Sequence, residues 1–201
     1  MDQKRIVVFG ILFCLLVVLV ILFFRNYSRE DIKKSAEIPR PEVKSPPQEL
    51  RSQKKVLLFF LREDDDLLYP EEREIFVNSS VVREAEQVIS GLIQGSRNGL
   101  VSPIPPETKM WQIFLTKEGT AYVDFSKEMM EGHPSGSAAE ISTIYSIVDS
   151  LAYNFKSIKK VFILIDGEER ETFAGHISLD KPFLPDYSII AKSPQNPQGE
   201  F

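Results

Sequence analysis

An α+β domain behind an N-terminal transmembrane helix is the architecture this sequence predicts. The domain is expected to hold a mixed sheet of about five strands with two helices packed on one face, in the order β-β-α-β-β-α-β. Three observations carry that prediction. Residues 6–24 are an apolar run interrupted only by Gly10. Residues 26–54 lack any sustained apolar period and hold Pro39, Pro41, Pro46 and Pro47. Residues 55–192 then alternate short β-branched and aromatic runs with two segments whose apolar side chains recur every three or four positions.

The apolar run would form a helix about 28 Å long at about 1.5 Å per residue, which matches a hydrocarbon core of roughly 30 Å. A stub of residues 1–5 places Lys4 and Arg5 before it, and Arg25 follows, so each interface has a cation able to snorkel. A cleaved signal peptide would show a shorter apolar stretch and a small-x-small site, and Leu22-Phe23-Phe24-Arg25-Asn26-Tyr27 offers none. Orientation is left open by the charges. Arg25, Arg29, Lys33 and Lys34 outnumber the two cations in front, which favours a cytoplasmic C-terminal flank. A short N-terminus before a single apolar helix instead acts as a signal-anchor that exports the rest of the chain. The expectation is a single-pass protein of the bacterial cytoplasmic (inner) membrane with its C-terminal domain extracytoplasmic; a domain hung on the cytoplasmic side is the alternative.

Residues 26–54 read as a disordered, Pro-rich linker, and 193–201 as a flexible tail. Within the domain, residues 55–61 form a short apolar strand closed by the charged turn at 62–66, and residues 72–77 a second strand. Asn78, Ser79 and Ser80 are cap candidates for a helix with the stripe Val81, Ala85, Val88, Ile89, Leu92 and Ile93, ended by Gly95. After a Gly/Pro-rich loop at 99–106, residues 110–115 and 120–125 form a hairpin across Lys117-Glu118-Gly119. Ser137 and Glu140 match a capping box opening a helix to about Phe155, with the stripe Ile141, Ile144, Tyr145, Val148, Leu151 and Phe155. Residues 160–165 are the last strand, closed by Asp166-Gly167.

Chemistry is thinly supplied. A formal net charge of −5 argues against nucleic acid, which requires a basic face. Cys14 is the single cysteine, and His133 and His176 have no ligand partner at local spacing, so no metal or cofactor is expected. Glu63-Asp64-Asp65-Asp66 lacks the alternating ligands, central Gly and terminal Glu of a calcium loop and reads as a solvated turn. No Gly-x-Ser-x-Gly elbow is present. Asp124 and Glu140 are the one pair of carboxylates that acid–base chemistry would use, although a strand end and a helix cap account for them.

Taken in order, a series of short pieces resembles the GerMN domain, the sporulation and spore germination domain. They are Leu68-Tyr69-Pro70-Glu71-Glu72-Arg73-Glu74-Ile75, Gly95 with Gly99-Leu100-Val101-Ser102-Pro103-Ile104-Pro105, and Gly119 through Ser126. They continue with Gly136 to Glu140, Val161 to Glu168, Gly175-His176-Ile177 and Pro182-Phe183. The chain departs from that pattern at Gly95-Ser96, where Gly-Pro is frequent, and at Asp149-Ser150-Leu151, where Asn-Thr-Leu is frequent. The resemblance implies a bacterial, membrane-tethered, extracytoplasmic module without known catalysis, of the kind that acts in envelope assembly during sporulation and in germination. Its fold is similar to the ring-building modules of secretion and sporulation channels.

The combined expectation is a non-enzymatic envelope scaffold or interaction domain that binds a protein partner or peptidoglycan, with formation of a homo-oligomer open. Tyr69, Leu100, Ile104 and Trp111 are the candidate partner contacts. The competing expectation is an envelope enzyme acting on peptidoglycan through Asp124 and Glu140.

Overall fold

The computed structural model describes residues 16–23, 52–134 and 136–191. The chain divides into two units, Met1–Glu49 and Leu50–Phe201. In the first, residues 16–23 form helix α1 with every side chain exposed. The remainder of the expected 6–24 anchor, the stub, the linker up to residue 51 and the tail lie outside the described residues. No helix among the described residues is long and apolar enough to cross a membrane.

The second unit runs β1 (Gln53–Arg62), β2 (Leu67–Phe76), α2 (Val81–Gln94), β3 (Met110–Leu115), β4 (Thr120–Phe125), α3 (Glu128–Glu131), α4 (Ser137–Asn154), β5 (Lys160–Ile165) and a 3-10 turn at Tyr187–Ile189. The expected single sheet is corrected to two. β1 and β2 pair antiparallel from Gln53↔Phe76 to Arg62↔Leu67, whereas β3, β4 and β5 form a separate sheet, antiparallel then parallel. α3 adds a short helix to the expected order.

β2 begins five residues before its expected start. Pro70 sits opposite Phe59, a position whose backbone faces away from β1, so its missing N–H costs no ladder bond.

Helix α4 explains why the strands separate. Its side chains complete the free edge of β1 in place of another strand. Ser146 Oγ donates to Phe59 O at 2.6 Å, and Phe59 N–H donates to Ser150 Oγ at 3.0 Å. Leu57 N–H donates to Asn154 Oδ1 at 3.0 Å, and Asn154 Nδ2 returns a bond to Leu57 O at 2.6 Å. Further along the same strand, Leu61 and Val101 exchange both backbone bonds. The spacing of 146, 150 and 154 puts the three groups on one helix face, and the apolar face of α4 turns to the main core with Ile144, Ile147, Val148 and Leu151. The expectation of both helices on one sheet face is therefore corrected. α4 lies along the β1 edge and also reaches β5, while α2 packs on β1, β2, β3 and α4.

The expected capping box at Ser137 is corrected as well. The N-cap is Gly136, no side chain among the described residues caps the helix, and Glu140 is engaged elsewhere. At the β3–β4 turn, Gly119 has φ 91°, and a Cβ there would lie 2.9 Å from Ser157 O.

Candidate interaction surface

In the three-stranded sheet, strand alternation separates two faces. Ile113, Val123 and Ile163 lie opposite one another and are buried, as are Ala121 and Val161 beside them. One residue along, the outer face carries the row Phe114, Tyr122 and Phe162. The Tyr122 and Phe162 rings stack with centroids 5.3 Å apart. Phe162 is buried, Tyr122 half-buried, and Phe114 at the β3 end is 64% exposed.

Trp111 occupies a bulge between Met110 and Gln112, where β3 carries a residue without a partner in the register. It is 54% exposed. Its indole N–H donates to Asp166 Oδ1 at 3.0 Å, and Lys109 Nζ stands 6.0 Å from its ring. Asp166 belongs to a two-residue turn with φ 51° and 76° at Asp166 and Gly167, the positive pair that a tight hairpin needs. Asp124, 4% exposed, fixes that turn by accepting the Gly167 N–H at 2.8 Å. The arrangement is a rigid aromatic surface with polar handles, suited to contact.

The carboxylates that acid–base chemistry would need are occupied in holding loops. Glu140 is 0% exposed and accepts the Ile177 N–H at 2.8 Å, the His176 N–H at 3.3 Å and the His176 Nδ1 contact at 2.7 Å. Burial pushes its carboxyl up, but these donors outweigh it and hold its pKa below the ordinary value. Glu71 does the same for residues 96–98. It accepts Ser96 Oγ at 2.5 Å and the Arg97 N–H at 3.1 Å, and is paired with buried Arg73 at 2.5 Å. Its pKa too is lowered, because Ser96, Arg97 and Arg73 overcome the effect of burial. Asp124 and Glu140 thus bind different loops and share no hydrogen-bond partner.

Concavities lie elsewhere on the second unit. A groove of about 540 Å³ runs between β2 and α2 past Arg73, Glu74, Phe76, Gln87 and Gln94. A pocket of about 290 Å³ lies among Val101, Pro103, Pro105, Pro106 and His133. His133 Nε2 contacts Thr143 Oγ1 at 2.7 Å, its Nδ1 is buried without a hydrogen-bond partner among the described residues, and burial lowers its pKa. No group of three or more His, Cys, Asp or Glu side chains among the described residues converges as a metal site.

The four residues singled out from the sequence do not form one patch. Ile104 is 1% exposed and fills the core, so it is corrected as a contact. Leu100 is half-buried against that core. Tyr69, on the two-stranded sheet, lies under the Arg62 guanidinium at 3.8 Å, and its hydroxyl donates to Asp65 at 2.8 Å. Of the four, Trp111 alone stands well exposed. Phe114 was missed, although Ile113-Phe114-Leu115 puts an apolar side chain on each face of the strand, which one buried face does not require.

The family model described as Germane, sporulation and spore germination, matches residues 57–171, more than half of the chain. Among solved structures, the tandem GerMN domains of the sporulation protein GerM from Bacillus subtilis share 24% identity and a TM-score of 0.52, covering 66% of this chain and 46% of that one. The first GerMN domain of the same protein gives 24% and 0.50, covering 66% and 97%. A protein named as a lipoprotein from Clostridium perfringens gives 26% and 0.48, covering 67% and 89%. For the two GerM structures the likeness is one of fold alone. No curated protein matches the chain.

Proposed function

The chain belongs to the Germane family of sporulation and spore germination domains, and from that membership we propose that it is a non-enzymatic envelope module that holds another protein through the outer face of its three-stranded sheet. The observation that carries the reading is the pairing of Trp111 and Phe114, both more than half exposed on a strand whose opposite face is core. Large aromatic side chains left in water on a rigid strand gain from burial when a partner covers them. The buried carboxylates support contact over catalysis, since each is already engaged by backbone donors.

The tether belongs to the same proposal. The apolar run at 6–24 has the length of a bilayer span, and its described part is helical with outward apolar side chains. We place the domain outside the cytoplasmic membrane, at the end of the Pro-rich linker. A photo-crosslinking residue at position 114 of the full chain, activated in intact cells, is expected to yield a discrete protein adduct that Trp111→Ser abolishes. Crosslinking to glycan strands alone, or to nothing, overturns the reading. Alkaline phosphatase fused after Phe201 is expected to be active; an inactive, stable fusion overturns the exported placement.

A further inference from the structure

Residues 182–191 cross the outside of α4 as a strap. At one end Phe183 exchanges both backbone bonds with Val161 of β5; at the other the Ala191 N–H donates to Leu68 O of β2 at 2.8 Å. The strap is thereby the only segment among the described residues that bonds by its backbone to both sheets while passing over the helix. Its midpoint rests on Asp149, whose Oδ1 accepts the Asp186 N–H at 2.9 Å. Asp149 is 0% exposed, and its Oδ2 is buried without a hydrogen-bond partner among the described residues. The titratable groups that act on it among the described residues are the Tyr145 and Tyr187 phenols and the Asp186 carboxylate, and no cation is among them. Tyr145 and Tyr153 stand one turn away on α4, Tyr145 against Phe183 and Tyr153 against Tyr187. Asp186 comes from the strap itself, and Lys156 is directed over the Tyr153 ring.

We propose that Asp149 is a proton-operated latch, holding the strap on α4 when its carboxyl is neutral and releasing it when the carboxyl ionises. A neutral acid leaves one oxygen to accept the Asp186 N–H and buries no charge. Ionisation puts an unpaired charge among rings and beside Asp186, a cost the chain avoids by letting water in. Burial raises the Asp149 pKa from 3.8 to about 7, with the Asp186 charge adding to it and the Asp186 N–H opposing. The acid is therefore neutral in both docked and released forms below about pH 4. Between about pH 4 and 7 the docking equilibrium falls by up to tenfold per pH unit, and above 7 it is level. Release would lift Ile190 of the strap off Leu68 and Phe59, with which it forms a small separate cluster.

Amide hydrogen exchange of the full chain tests this. Protection of the Phe183, Asp186 and Ala191 amides, corrected for intrinsic exchange, is expected to fall at least tenfold between pH 5 and 8, and to stay constant in Asp149→Asn. Equal pH dependence in both proteins, or none in the parent, overturns the latch. Should Asp149→Asn fail to fold, carboxyl ¹³C titration of the parent decides: a midpoint of pH 5 or above supports the proposal, and one below 5 overturns it.

Discussion

Glu140 and Asp149 sit on the same helix, both without exposed surface, and titrate in opposite directions. Glu140 is surrounded by N–H donors that stabilise its charge; among the described residues, Asp149 has one such donor and an oxygen without a partner. A lowered folded pKa contributes stability that is present above the ordinary carboxylate range and lost as pH falls through the folded value. Glu71 and Glu84 share the direction of Glu140, Glu84 because Lys54 and the Asn78 N–H overcome burial. A raised folded pKa has the reverse effect, so Asp149 removes stability as pH rises from about 4 to about 7. The thermal midpoint is therefore expected to peak at mildly acidic pH and decline on both sides, with Asp149→Asn flattening the alkaline limb. Glu140→Gln is expected to cost about 2–3 kcal/mol at pH 7, because it leaves buried donors facing an amide, and to flatten the acid limb. Calorimetry from pH 3 to 9 checks both. None of this was legible in the sequence. Glu140 fits a capping box by spacing alone, and its true partners at 176 and 177 lie far along the chain.

At the scale of elements, the strands and both long helices were readable because each has a local period or a glycine stop, as at Gly95 and Gly119. How the strands share sheets was not, because that depends on what completes each edge. The stripe of Ser142, Ser146, Ser150 and Asn154 at fourfold spacing was visible in α4, yet hydroxyls on a helix ordinarily signal a solvated face. Here Ser146 and Ser150 are buried against β1. Replacing both by Ala strands the Phe59 N–H and C=O without water, a loss of about 2–4 kcal/mol. Urea titration is expected to show that loss, and Ser146→Thr/Ser150→Thr, which keep the hydroxyls, are expected to recover part of it.

For the molecule as a whole, the residues proposed for contact are not those that hold the fold together. Trp111 and Phe114 contribute little to the core, since both project outward from β3. The double variant Trp111→Ser/Phe114→Ser is expected to leave the unfolding free energy within about 0.5 kcal/mol of the parent and still to abolish the crosslinked adduct. The loss of both fold and adduct together would assign these rings to packing. Trp111 was legible as a candidate because a lone tryptophan in a short strand invites the question of which side it faces. Phe114 became evident only when the register placed it beside Tyr122 and Phe162. The helix that stands in for a strand also protects the molecule from its own copies. Because Leu57 and Phe59 already have their bonds filled by serine and asparagine, a second molecule arriving at that flank finds nothing to zip onto, and the two-stranded ribbon is closed to runaway stacking there.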